Sequence, residues 1–124
     1  MDITRRDYPD IGQPSGPFCH AVRAGNLLFI SGATAGGTDA AHGTAAQQAE
    51  AILKKLSHIL QAEGATLANV VKVTVFLTDM RDRAEIAKVR ETYFQGVYPA
   101  STLVQVAALA APNLKLEIEA VAAL

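Results

Sequence analysis

Two hydroxyl residues stand at the start of one predicted strand and two glutamates lie along another, and these residue types define the chemistry available. Ser101 and Thr102 follow Tyr98-Pro99-Ala100 and lead into a β-branched run. Hydroxyl groups donate and accept neutral hydrogen bonds but supply no charge. Glu117 and Glu119 alternate with apolar residues, so both point to one face of a strand, where their repulsion is expected to raise the pKa of one or the other carboxylate. These groups suit a site for a small polar molecule.

Other reactive residue types do not form a recognisable site. His20, His42 and His58 lack the spacing of metal ligands, and Cys19 beside His20 is not a metal motif. For His20 a surface position is the favoured interpretation, and a position at the border of a cleft is the alternative. The glycine-rich stretch over 32–37 lacks the lysine and hydroxyl of a phosphate-binding loop.

Size and charge restrict the class of protein. The 124 residues fit one domain, 1–124, and half of them are hydrophobic. The 11 basic and 12 acidic residues give a net charge of −1, which argues against a nucleic-acid-binding surface. No apolar run reaches the roughly 18 residues of a membrane helix, and the polar N-terminus does not resemble a secretion signal. With a single cysteine, this composition predicts a cytoplasmic protein without a membrane or nucleic-acid partner.

Hydrophobic periodicity predicts the elements that position these residues. An irregular arm over 1–16 precedes a β-hairpin that turns at Gly25-Asn26. The predicted helices cover 44–63, with Thr44 as N-cap, and 83–95. The order β-β-α-β-α-β-β indicates an α+β layer, one sheet with two helices on one face. The short link over 110–113 predicts that the last two strands, 102–109 and the alternating strand from 113, form an antiparallel pair.

The second face of this sheet predicts an oligomer, because two helices cover only one face. The uncovered face is predicted to carry a mixture of apolar and acidic side chains: Val70 or Val71, Leu103, Gln105, Ala107, Glu117 and Glu119. This mixture is too apolar for a solvent-exposed surface and too charged for the hydrophobic core of a single chain. We therefore expect another subunit to pack against this face. A solvated sheet face is the alternative.

Four segments in register resemble the RidA/YjgF family, known in older naming as endoribonuclease L-PSP. They are "GPFCHAVRAGNLLFISG", "VVKVTVFLTDM", "YPASTLVQVAALA" and "LEIEAVA", and they span Gly16 to Ala123. The resemblance implies a chorismate-mutase-like α+β fold with a mixed sheet. It also implies a homotrimer with a central β-barrel and small-molecule clefts between subunits. The activity implied is hydrolysis of 2-aminoacrylate-type enamines and imines to 2-keto acids and ammonia, with no metal or organic cofactor.

The resemblance assigns roles to individual residues. Glu117 matches the carboxylate that orients water, although a solvated glutamate facing Lys72 or Lys115 is the plain alternative. Ser31 matches a serine that lines the pocket, or it only caps the glycine turn that follows. Phe18 matches a pocket aromatic that is usually tyrosine, so only its apolar packing carries over.

One departure from the family pattern concerns the carboxylate-binding arginine. Active deaminases of the family read "PARS" where this chain reads Pro99-Ala100-Ser101-Thr102, so Ser101 stands in the place of the arginine. The family's pocket asparagine is replaced by Ala87. Arg90 lies inside the apolar stripe of the second helix, where an arginine is unusual. Arg90 either extends to the edge of the helix, or pairs with Glu91 or another carboxylate, or reaches the cleft and replaces the missing charge.

Three functions follow as hypotheses. The first is an imine or enamine deaminase of altered specificity, in which Glu117 orders water and Ser101, Thr102, Ser31, Phe18 and Arg90 bind substrate. The second is a trimer that binds or senses a metabolite without turnover. The third, an endoribonuclease, is disfavoured by the acidic balance and the lack of a basic aromatic surface.

Overall fold

The fold consists of one six-stranded sheet and two helices. The computed structural model describes all residues, 1–124. Its strands and helices, in chain order, are β1 (Ile3–Arg6), β2 (Ala21–Ala24), β3 (Leu27–Ala33), α1 (Ala45–Ala62), β4 (Val70–Leu77), α2 (Arg83–Phe94), β5 (Ala100–Gln105) and β6 (Leu116–Ala123). The strand order in the sheet is β1-β2-β3-β6-β4-β5, and only the β4–β5 pair is parallel. The predicted α+β class with a mixed sheet is confirmed.

Helix α1 begins and ends where its local sequence predicts. The Thr44 hydroxyl accepts from the Gln47 amide at 3.2 Å, and the Gln47 side chain accepts from the Thr44 amide at 2.9 Å. This reciprocal capping box satisfies two backbone donors at the first turn. Gly64, at φ 74°, follows the last turn in the left-handed conformation that glycine adopts at low cost.

Two predictions about the strands are wrong. The arm over 1–16 contains strand β1, which pairs antiparallel with β2 although all four of its residues are exposed. Strands β5 and β6 are not neighbours, because β4 lies between them and pairs with both. Helix α2 connects β4 to a parallel β5, as a β-α-β unit requires, and residues 106–115 then carry the chain past β4 to its other side.

The two faces of the sheet differ in burial. The face under the helices is buried along the central strands, through Val73, Val75 and Leu77 of β4 and the even-numbered residues of β6. We call the opposite side the open face, and it carries these side chains: Leu27, Phe29, Lys72, Thr74, Phe76, Thr102, Val104, Glu117, Glu119 and Val121. Phe29 is 46% exposed there.

Two residues predicted on the uncovered face, Leu103 and Gln105, lie on the helix side, and Gln105 pairs there with Leu77 of β4. Leu103 pairs with Val75 of β4 and packs against the core on the helix side, because the parallel register places it there. The exposed large apolar residues of the open face are Leu27 and Phe29 of β3 and Val104 of β5.

Candidate functional site

The Glu117 carboxylate lies directly over the backbone of Gly32. A Cβ atom built on Gly32 would overlap Glu117 Oε2 and would come within 2.7 Å of its Cδ. Gly32 stands in β3 where the pairing with β6 shifts register, between Ile30 and Ala33. Only a residue without a side chain allows the carboxylate to approach the β3 backbone this closely.

The environment of Glu117 makes it a better proton acceptor than an ordinary glutamate. Burial raises the pKa of Glu117, and the charge of Glu119, two residues along the same strand, raises it further. A carboxylate with a raised pKa, held in a fixed position, can accept a proton from a bound water molecule near neutral pH. The predicted repulsion between the two carboxylates is therefore present, but it is smaller than the effect of burial.

Ser31 and Phe18 line one large cavity. The cavity, of about 1170 Å³, lies between the segment that precedes β2, the loop that follows β3 and one face of α1. The Ser31 hydroxyl donates to the carbonyl of Cys19 at 2.7 Å, and the Ser31 amide donates to the carbonyl of His20 at 2.9 Å. Because its proton is engaged, the Ser31 hydroxyl is oriented as an acceptor. Phe18 is 49% exposed and forms an apolar wall.

Lys55 of α1 fixes the loop that forms another wall of this cavity. Its ammonium donates to the carbonyls of Thr34 at 2.7 Å and Gly36 at 2.9 Å. Burial lowers the pKa of Lys55. The loop after β3 is thus tied to α1 through two backbone carbonyls rather than through its own side chains.

Arg90 reaches Ser101 from helix α2. Its Nη2 donates to the Ser101 hydroxyl at 2.7 Å, and Arg90 forms no ion pair with any carboxylate in the chain. Burial lowers the pKa of Arg90, because no negative charge compensates its desolvation. Of the interpretations from sequence, pairing with Glu91 or another carboxylate is therefore wrong. The guanidinium instead stands beside the residue that occupies the family's arginine position.

Thr102 faces the opposite side of the sheet from Ser101. Its hydroxyl accepts from Lys72 Nζ at 2.8 Å on the open face. A shallow hollow of about 250 Å³ on that face is lined by Lys72 and Glu119, with Ser31 at its border. Lys72, which the sequence suggested as a partner of Glu117, therefore bonds Thr102 instead.

Within one chain the predicted site residues form two separate groups. The first consists of Phe18 and Ser31, which line the large cavity, and of Glu117, which does not line it but lies against Gly32, one of its lining residues. The second consists of Arg90 and Ser101, at the edge strand β5. Strand β4 lies between β5 and β6, and Ser101 and Glu117 are on opposite faces of the sheet. The two groups can act on one ligand only if a second copy brings them together.

Comparison with known proteins identifies the family. The model of the family described as endoribonuclease L-PSP matches residues 10–124. The chain belongs to the RidA/YjgF family, also called endoribonuclease L-PSP.

Some relatives within the RidA/YjgF family are named as deaminases, and others are named only by their family. The mouse 2-iminobutanoate/2-iminopropanoate deaminase is 40% identical over 112 residues, which cover 86% of this chain and 81% of the mouse protein. The RutC family protein y4sK of Sinorhizobium fredii is 42% identical over 114 residues and 88% of each chain. A YjgF/YER057c/UK114 family structure from Mycobacterium tuberculosis superposes with a TM-score of 0.82 at 31% identity and covers 99% of this chain and 100% of that one.

Sequence reasoning about this RidA/YjgF member missed two features of the site. The need for glycine at position 32 depends on Glu117, which is distant in sequence and becomes a neighbour only through the β3–β6 pairing. His20, for which a surface position was favoured, lines the cavity together with Phe18 and Ser31. The adjacency of His20 to Phe18 was the available signal. Neither α1 nor α2 combines the length and the hydrophobicity that spanning a lipid bilayer requires.

Proposed function

We propose that the protein hydrolyses small 2-imino acids, or the enamines from which they form, to 2-oxo acids and ammonia. The site is a cleft between subunits of a homotrimer, where Glu117 of one subunit acts on a substrate whose carboxylate is held by Arg90 of the next. The observation that carries the proposal is the hydrogen bond from Arg90 to Ser101. It supports the view that the positive charge is supplied from helix α2 rather than from strand β5.

The free donors of Arg90 suit a carboxylate. A guanidinium carries five N–H donors, and Ser101 uses one of them. The remaining donors have no carboxylate partner in the chain and can form the bidentate pair that planar carboxylates accept. The Ser101 hydroxyl orients the Arg90 guanidinium. Ser101 thereby helps to place a positive charge near the position where other family members have an arginine.

The hydrolytic step needs a positioned base and no redox chemistry. Glu117 accepts a proton from water as the water oxygen bonds to the C=N carbon, and the imine nitrogen takes up a proton. The resulting carbinolamine loses ammonia when the C–N bond breaks and the hydroxyl proton departs, which leaves the 2-oxo acid. The raised pKa of Glu117 supports its role as a base that also returns the proton to nitrogen.

Substitutions in both groups test this proposal in an assay that generates 2-iminobutanoate and follows 2-oxobutanoate formation above the spontaneous rate. Glu117→Gln should lower kcat at least about 100-fold, because general acid–base groups contribute 10²- to 10⁴-fold. Arg90→Met should lower kcat/KM by about 10- to 100-fold through loss of a charged hydrogen bond. Arg83→Met, which removes a charge at the exposed start of α2, is the matched control and should have no effect.

A double variant tests whether an arginine at position 101 can replace Arg90 as the residue that binds the substrate carboxylate. Ser101→Arg in the Arg90→Met background returns a guanidinium to the family's usual position and should restore most of the lost kcat/KM. If Arg90→Met retains full activity, the role proposed for Arg90 is wrong. If the wild-type protein does not accelerate hydrolysis but binds 2-oxo acids, the protein is the binding module of the second hypothesis, which the absence of an arginine at position 101 favours.

A further inference from the structure

His20 is held in one orientation by contacts on several sides. Its backbone amide donates to Asp7 Oδ1 at 3.0 Å, and its carbonyl accepts from the Ser31 amide at 2.9 Å. Its ring stacks on the Tyr8 ring, with centroids 6.0 Å apart and planes inclined by 21°. The Nδ1 atom accepts from the Tyr8 backbone amide at 2.9 Å. The imidazole is therefore positioned as firmly as a side chain of the core.

The bond to Tyr8 determines which ring nitrogen carries the proton. A backbone N–H can only donate, so Nδ1 must present its lone pair to Tyr8. In the neutral imidazole the single proton is then on Nε2. A hydrogen bond at one ring nitrogen, here Nδ1, fixes both the tautomer and the orientation of a histidine, so that the N–H of the other nitrogen, Nε2, points in a defined direction.

The Nε2 proton has no acceptor within the chain. His20 Nε2 takes part in no side-chain hydrogen bond or ion pair of the protein. Tyr8 Oη is the only side-chain polar atom that is both buried and without a partner. Because His20 Nε2 also lacks a partner, it is not buried and remains accessible. His20 lines the large cavity together with Phe18, Ser31 and Gly32. A fixed, accessible donor thus stands in the cavity next to residues of the proposed site.

We propose that His20 is a ligand-binding residue whose Nε2–H donates a hydrogen bond to an oxygen atom of a bound 2-oxo or 2-imino acid. The identity of this ligand rests on the proposed function, but the donor itself does not. All structural contacts of the ring use Nδ1 or its faces, which leaves Nε2 for the ligand. Ser31, oriented as an acceptor beside it, provides the complementary group for an N–H of the same ligand.

Two substitutions separate the donor from the structural contact. His20→Asn keeps an acceptor near the position of Nδ1 for the Tyr8 amide but has no donor at the position of Nε2. His20→Gln reaches the position of Nε2 with an amide N–H but gives up the bond to Tyr8. The first variant, which keeps the bond to the Tyr8 amide but loses the ring stacking, should lose less melting temperature than the second and should lose ligand affinity. The second should lose melting temperature and keep ligand affinity to within about twofold.

Calorimetric titration with 2-oxobutanoate and steady-state kinetics with 2-iminobutanoate measure the two effects. For His20→Asn the Kd and KM should rise about 5- to 10-fold, as expected for one neutral hydrogen bond, with kcat nearly unchanged. Wild-type affinity in His20→Asn, or affinity lost in proportion to melting temperature in both variants, would overturn the inference. So would a wild-type protein that binds no 2-oxo acid.

The binding and kinetic measurements also distinguish this inference from the proposed function. If wild-type protein binds 2-oxobutanoate and His20→Asn weakens that binding, but no hydrolysis occurs, His20 stands as a ligand donor and the deaminase proposal fails. If hydrolysis occurs with an unchanged KM in His20→Asn, the deaminase proposal stands and the role of His20 fails. Repeating the titration with butanoate, which lacks the 2-oxo group, identifies which ligand oxygen accepts the bond.

Discussion

At the scale of single residues, the proposed hydrolysis depends on Glu117, a carboxylate whose pKa is raised by two causes of different size. Burial is the larger cause and the charge of Glu119 is the smaller one. A base works only when deprotonated, so kcat/KM should fall on the acidic side of the raised pKa of Glu117. An ordinary exposed glutamate would place this acid limb at lower pH.

Glu119→Gln removes the smaller cause and leaves the burial of Glu117 in place. We expect the pKa of Glu117 to fall and the acid limb of kcat/KM to move to lower pH, while activity on the alkaline side stays the same. The measurement is the pH profile of kcat/KM for both proteins. Asp2→Asn removes the same charge at an exposed N-terminal position and should leave the profile unchanged. An acid limb that moves to higher pH in Glu119→Gln would contradict this account.

Local sequence identified Arg90 as unusual but did not identify its partner. An arginine between Ile86 and Phe94 of an apolar stripe is visible in the sequence, and so is a serine at the family's arginine position. The hydrogen bond between Arg90 and Ser101 depends on the crossing of α2 over β5, which is a tertiary feature. Residue types therefore predicted both members of the pair, and only the fold joins them.

At the scale of elements, prediction succeeded where stabilising contacts are local. Helix α1 carries its own capping box and its own apolar stripe, so a short window of sequence defines both of its ends. Strand β1 has no buried residue and exists only through its pairing with β2, so no periodic pattern indicates it. The position of β4 between β5 and β6 is also a non-local feature. The length of the connection from β5 to β6 does not determine whether the two strands pair directly or lie on either side of a third strand.

Gln48 is the side chain that joins the elements around the cavity. It is 0% exposed, and its Nε2 donates to the carbonyls of Gly43 at 3.2 Å and Asn113 at 3.0 Å. Its Oε1 accepts from the Lys115 amide at 2.8 Å. The loop before α1 and the segment that leads into β6 are thus held by one amide group. Both segments supply residues to the cavity wall, and the second positions Glu117.

Replacing Gln48 by leucine keeps the volume but leaves several buried backbone groups without partners. Each such group costs about 1–3 kcal/mol, and some of them regain water, so we expect the free energy of unfolding to fall by about 2–4 kcal/mol. Urea denaturation monitored by circular dichroism measures the change. Gln61→Leu, the same substitution at an exposed position of α1, should change stability by less than about 0.5 kcal/mol. Equal stability of the two variants would show that the Gln48 network is not a stabilising feature.

At the scale of the whole molecule, the open face and the divided site require the same explanation. The open face exposes large apolar side chains from β3 and β5, and single chains rarely leave such a surface uncovered. Glu117 of the first group and Ser101 of the second lie on different faces of the sheet, on either side of β4. A symmetric assembly that covers the open face would also allow Arg90 of one copy to approach Glu117 of another.

Phe29→Asp tests whether assembly and activity depend on the open face. A charge placed at a subunit interface carries a large desolvation cost, so we expect the sedimenting mass to fall from three chains to one. Deaminase activity should fall with it, because a single chain keeps the two groups of site residues apart, while helical circular dichroism persists. Met80→Asp, at an exposed apolar residue in the turn before α2, should leave the mass of three chains unchanged. A wild-type protein that sediments as one chain and still hydrolyses imines would refute the intersubunit cleft.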